Sequence, residues 1–196
     1  MFSTVVNLMS LVVCGIYPSV HAAHQAKTKE VGVSVTSIYN KLNGIEPFVS
    51  AQLVRDTANE MEATIRHLNA SLPDLLPGYR VKILDGNVLA ATEHRLKVLR
   101  QTNSAPMPGK SLVVLDPALM LAVDVFPCED GHAQERSLLT SVLPSVERGD
   151  VWIADRNFCT NKFLFGIAER EGYERDSRAP MLILAFSNRI AAMWFS

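Results

Sequence analysis

The chain has 196 residues, 48% of them hydrophobic and 20% charged, which is enough to build a packed core and argues against wholesale disorder. Its length fits one domain, or one domain with a small N-terminal attachment. A formal charge of −1 counts against a protein that coats nucleic acid without selectivity, and three cysteines with no CxxC give no support to a disulfide framework or a zinc ribbon.

Residues 2–16 read as a buried helix ended by Gly15 and Pro18. The rival reading is a secretion signal with Val20-His21-Ala22 as its cleavage site. No Lys or Arg precedes Lys27, however, so the charged leader segment is missing, and the run is too short to span a bilayer. Residues 19–29 suggest a second helix. Gly32 then provides a turn, Ser34 an N-cap, and Ile38 and Leu42 share one face of a following helix. This is the outline of a helix-turn-helix, whose second helix would offer Thr36, Ser37, Asn40 and Lys41 to DNA. An ordinary helical hairpin has the same outline.

Residues 48–69 read as an amphipathic helix with Val49, Leu53, Ala58, Met61, Ile65 and Leu68 near helical spacing. Leu72 to Gly78, with Pro73 and Pro77, marks a boundary between a helical region (1–72) and an α/β region (79–174). Strand one covers 80–85, a helix 88–100, and a polar loop 101–110. Strand two covers 111–115, Asp116-Pro117 turns the chain, and strand three covers 121–126. A helix over 133–146 leads to strand four at 151–154, and a last helix runs from Thr160 to about Glu171. Short connections predict that strands two and three form an antiparallel hairpin. The helix before strand four permits a parallel crossover that sets strand four beside strand one. Asp85 would then stand next to Asp155.

Charge is unevenly spread. Arg80 to Lys110 holds six basic residues against Asp85 and Glu93, whereas Ser111 to Glu135 holds five acidic residues and no Lys or Arg. A basic stretch beside Asp85 suits an anionic substrate, although from charge alone two solvated surfaces of opposite sign are the more common explanation. Two hard carboxylates at neighbouring strand ends favour Mg²⁺ or Mn²⁺ over zinc. Taken alone, such residues are more often caps of the next turn. Cys128, Glu129, Asp130 and His132 are ligand-type residues whose spacing matches no zinc pattern. Glu93, His94 and Arg95 read as a solvated helical face, and Trp152 as core.

From about residue 34 to 174 the chain resembles DDE-type insertion-sequence transposases of the insertion-sequence-four group. The stretches that carry the resemblance are Ser37 to Leu42, Ile83-Leu84-Asp85-Gly86-Asn87, Ala91 to Leu96, Pro127 to Arg136 and, above all, Gly149-Asp150-Val151-Trp152-Ile153-Ala154-Asp155-Arg156-Asn157-Phe158-Cys159-Thr160. The resemblance implies a ribonuclease-H-like catalytic domain with a mixed sheet (three antiparallel strands plus a parallel fourth) behind a helical N-terminal region. It implies Asp85 and Asp155 as the first and second catalytic carboxylates, both holding Mg²⁺ or Mn²⁺. Arg156, which follows the second aspartate, is placed to contact a phosphate, and a surface ion pair explains it equally well. The implied activity is metal-dependent cleavage at transposon ends and strand transfer into target DNA. The implied setting is a cytoplasmic protein, nucleoid-associated if DNA is bound, that acts on DNA without a membrane and is open to homo-oligomerisation.

The chain departs from the family after Asp155. No Tyr-x2-Arg-x3-Glu signature follows, so the third carboxylate is missing, and Glu169 and Glu171 lie on the immediately following helix. Residues 175–196 resemble nothing in the family at that point and read as an aberrant apolar tail. It would supply either a fifth strand or an exposed adhesive segment. The expectation is a truncated, incomplete transposase that is inactive alone. The alternative is a non-catalytic DNA-binding or interaction fragment that interferes with the intact enzyme.

Overall fold

A computed structural model describes residues 1–89, 109–128, 134–170 and 184–186. The chain divides into two compact units, residues 1–50 and 51–196.

The first unit is helical: α1 (Phe2–Val13), α2 (Val20–Ala26), α3 (Thr28–Val31) and α4 (Val35–Asn43). Ser19 caps α2 by accepting from the Ala22 amide, and Ser34 caps α4 by accepting from the Ser37 amide. Gly32 ends α3 at φ +66°, a left-handed conformation that costs glycine least. Val5, Leu8, Ala23 and Ile38 are buried together, with Val31, Val33 and Leu42 packed around them. His24 is buried as well, and its Nε2 lies 2.7 Å from the Val33 carbonyl, which can only accept, so this nitrogen carries the proton. The expected first helix thus stops at Val13, before Gly15, and the expected second helix is broken at Lys27 into α2 and α3.

Helix α5 (Pro47–His67) follows. Its buried stripe is built from Ala51 and Ala58, whereas Leu53, Met61 and Leu68 of the expected apolar face are exposed. Small residues let the helix approach closely, and Arg55 extends the same stripe. Arg55 Nε donates to Asp124 Oδ1 at 2.7 Å, and the guanidinium lies 5.8 Å from the centre of the Phe126 ring.

The second unit contains a mixed α/β sheet. Its strands are β1 (Arg80–Leu89), β2 (Gly109–Asp116), β3 (Leu121–Cys128), β4 (Asp150–Asp155) and the short β5 (Leu184–Phe186), in the spatial order β3-β2-β1-β4-β5. β1, β2 and β3 are antiparallel neighbours; β4 runs parallel to β1, and β5 parallel to β4. The hairpin between strands two and three and the parallel placement of strand four follow the sequence expectation. Three details differ. β1 extends to Leu89, through the start of the helix expected at 88–100, because residues 85–89 continue the ladder with β2. The rest of that expected helix, with Glu93, His94 and Arg95, lies outside the described residues. The helix expected over 133–146 is a chain of short turns: a 3-10 turn (Glu135–Leu138), α6 (Leu139–Val142) and a second 3-10 turn (Leu143–Ser145). Pro144 lacks the amide a longer helix would require.

One face of the sheet buries Leu84, Leu112, Val114, Phe126, Trp152 and Ala154 against Leu139, Val142, Leu143, Phe158, Phe163 and Ile167. The last two belong to α7 (Asn161–Arg170). Trp152 meets Phe163 edge-on, with centroids 6.5 Å apart and ring planes at 85°. This places Trp152 in the core, as expected. Ile83 and Ile153 alternate with these residues and point to the other face, where they are half-buried.

Candidate active site

β1 and β4 are paired from Arg80 with Asp150 through Leu84 with Ala154. One residue further along each strand come Asp85 and Asp155. Because side chains alternate, both aspartates project from the face opposite Leu84 and Ala154. The pair sits where the connections diverge: the chain leaves β1 for β2 and β3 on one side, while β4 and β5 lie on the other. In open α/β sheets that switch point, at the carboxyl ends of the parallel strands, is where a crevice forms and ligands bind.

Asp85 is exposed, and its Oδ1 accepts from the Gly86 amide at 2.9 Å. Asp155 is half-buried, and its Oδ1 accepts from the Asn157 amide at 2.7 Å, capping a 3-10 turn (Arg156–Phe158). Asp155 therefore caps a turn, as many strand-end aspartates do, whereas Asp85 lies within β1, which runs on to Leu89 because its ladder with β2 continues, and does not end the strand as expected; each aspartate uses only one oxygen for a backbone amide. Oδ2 of both has no partner among the described residues. Two oxygens aimed from rigid strands suit Mg²⁺, which commonly takes one or two carboxylates and keeps its remaining waters. Among the described residues no three His, Cys, Asp or Glu side chains converge as a metal cluster.

Around the pair, Arg156 is exposed and directly follows Asp155. Lys82 is turned away: it lies on the core face, 3.9 Å from Asp116. Of the basic stretch between Arg80 and Lys110, residues 90–108 lie outside the described residues, as do Glu129, Asp130 and His132 of the ligand-type cluster. A cavity of about 240 Å³ lies at the opposite end of β1, between Arg66, Tyr79, Arg80 and Asp116, and takes no part in this arrangement.

In the first unit, α4 turns Ile38 inward and leaves Thr36, Asn40 and Lys41 exposed, with Ser37 half-buried. The Ser37 hydroxyl is 3.0 Å from that of Ser34, so it is engaged in the helix cap. Sequence reasoning missed Glu135, whose carboxylate lies against Gly86, the residue after Asp85. Only the Asp-Gly dipeptide hinted that something approaches β1 closely there.

No protein-family model, no curated protein and no solved structure matches the chain. Among the described residues no helix is long and apolar enough to cross a membrane.

Proposed function

We propose that this chain carries part of the catalytic domain of a DDE-type transposase, with Asp85 and Asp155 as two of its three metal-holding carboxylates. The reading rests on the β1–β4 register, which puts the two aspartates side by side on one face at the switch point of the sheet. The sheet order and the sense of each strand support a ribonuclease-H-like fold. A divalent cation at this pair would supply an activated water and stabilise the leaving oxygen of a phosphodiester. Asp85 and Asp155 would hold it from rigid strands, and Arg156 would offer a positive charge to a phosphate beside them. With two such carboxylates among the described residues, this reading expects the chain by itself to bind DNA and cation without completing cleavage.

A second reading, a non-catalytic DNA-binding fragment that interferes with the intact enzyme, draws on α4. Its exposed Thr36, Asn40 and Lys41 follow a turn at Gly32 and form a polar face suited to a groove.

Duplex DNA binding and cleavage, measured with and without Mn²⁺ for the chain and for Asp85→Asn and Asp155→Asn, separate the two. The catalytic-domain reading expects salt-sensitive binding that Mn²⁺ strengthens only while both aspartates are present, and no cleavage. Binding indifferent to Mn²⁺ and to both substitutions would remove that reading and leave the fragment. Cleavage that requires Asp155 would show that the acidic set is complete.

A further inference from the structure

Glu135 opens the 3-10 turn between β3 and β4, and its carboxylate lies flat against Gly86. A Cβ built on Gly86 would be 2.8 Å from Glu135 Oε2, 2.9 Å from Cδ and 3.0 Å from Oε1. Those distances leave no room for any side chain on residue 86 unless Glu135 moves. Gly86 is the residue whose amide donates to Asp85 Oδ1. Three constraints therefore meet on one glycine: its ladder partner Leu112 on β2, the Asp85 carboxylate, and Glu135 pressing from the core-side face. Glycine is the residue with most backbone freedom to lose, so packing against it has the largest effect on where its amide points.

We infer that Glu135 is a positioning residue for Asp85, acting through the backbone of Gly86. The inference rests on the metal-binding reading of Asp85 and Asp155 given above. Two observations favour positioning over a purely structural role or direct ligation. The half-buried Glu135 carboxylate has no hydrogen-bond or ion-pair partner among the described residues, so no bond of its own accounts for its place against Gly86. Among the described residues no three metal-donor side chains converge, so Glu135 acts beside the pair rather than as its third member. Outer-shell groups that hold a ligand in place contribute strongly to metal affinity even though they never touch the ion.

The test uses Mn²⁺ alone as the probe, read by loss of the free-ion electron paramagnetic resonance signal on the full chain. The variants are Glu135→Ala, Glu135→Gln, Gly86→Ala and Asp85→Asn. Gly86→Ala is informative because the new methyl displaces only the far end of a flexible side chain, so Glu135 moves while the fold stays. Removing the packing (Glu135→Ala) or displacing it (Gly86→Ala) is expected to weaken Mn²⁺ uptake about tenfold with the unfolding midpoint of Gly86→Ala unchanged. Glu135→Gln keeps the shape and is expected to restore wild-type uptake. Wild-type affinity in both Glu135→Ala and Gly86→Ala, alongside lost affinity in Asp85→Asn, would overturn the positioning role and leave the metal pair standing. Affinity in Glu135→Gln as low as in Glu135→Ala would also overturn it, since charge rather than packing would then be at work. Uptake that Asp85→Asn does not change would sink the metal pair itself, and this inference with it.

Discussion

Arg80 and Asp150 form the first pair of the parallel β1–β4 ladder, and the Arg80 guanidinium donates through Nε to the Asp150 carboxylate at that point. Asp150 is 2% exposed and also receives the Glu147 amide, while the other arm of Arg80 reaches Glu147 at 2.7 Å. The candidate aspartates stand five positions further along the two strands. A slip of one residue would send Asp155 to the core face and Ala154 to the solvent face. The ion pair at the foot of the strands therefore helps to set the alignment of the two aspartates.

Removing that anchor should be costly for its size. Arg80→Ala leaves a buried carboxylate without its charged partner. The arginine is 39% exposed, so solvent screens part of the loss. The expected destabilisation is about 2 kcal/mol, read as a lower urea midpoint with an unchanged slope. Mn²⁺ uptake should fall more than the midpoint alone explains, because the register of Asp85 and Asp155 loosens.

The same pair makes a prediction about pH. Burial disfavours the Arg80 charge, but the hydrogen bonds and charges of Asp150 and Glu147 outweigh it and hold the guanidinium pKa above its ordinary value. A raised folded-state value means that the contribution is fully present below the unfolded value and is lost only as pH rises through the folded one. The ion pair should therefore show no alkaline weakening up to about pH 12. Arg80→Lys should introduce a loss of stability above about pH 10, where lysine ordinarily deprotonates, and should lose the forked contact to two carboxylates. Chemical unfolding of both forms at pH 8 and pH 11 checks this; identical alkaline behaviour would contradict it.

Gly166 packs α7 onto the turn before β4. A Cβ there would lie 2.7 Å from Leu143 Cδ1 and 3.0 Å from Cδ2. Alanine normally strengthens a helix by about 1 kcal/mol over glycine. Here Leu143 is itself buried in the core and has little room to yield, so Gly166→Ala is expected to cost about 1–2 kcal/mol instead. Pairing it with Leu143→Ala should recover part of that loss in a double-mutant cycle.

Asp85→Asn and Asp155→Asn should leave stability within about 0.5 kcal/mol of the parent, because each amide oxygen can still accept the backbone amide its carboxylate now holds. Thermal unfolding without metal tests this. A stabilisation of the folded chain by added Mn²⁺ in the parent, absent in both variants, would tie the ion to the pair by mass action.

Much of the second unit was legible because its strands are short apolar runs bounded by Gly, Pro and Asp. Ile83-Leu84-Asp85-Gly86 and Ile153-Ala154-Asp155-Arg156 carried both the strands and the candidate carboxylates. The helix over 133–146 was misread because its apolar spacing is helical, whereas Pro144 and the path to β4 break it into shorter turns. The apolar face of α5 was misassigned for a related reason. Period identifies a stripe, but tertiary contacts decide which one is used: Ala51 and Ala58 are buried and Arg55 reaches Asp124 on β3, while Leu53 and Met61 stay exposed.

The sequence by itself determined the strand segments, the cap at Ser34 and the turn at Gly32. It also placed Asp155 at the end of a strand, but not Asp85, since β1 continues to Leu89. These are local matters of hydrophobic period, side-chain hydrogen bonding and backbone freedom. Only the tertiary structure decided that Asp85 and Asp155 share a face one step past a paired register, that Arg80 anchors that register, and that Glu135 rests on Gly86. Each joins segments about fifty to seventy residues apart, and such contacts depend on how the strands align, which no local pattern encodes.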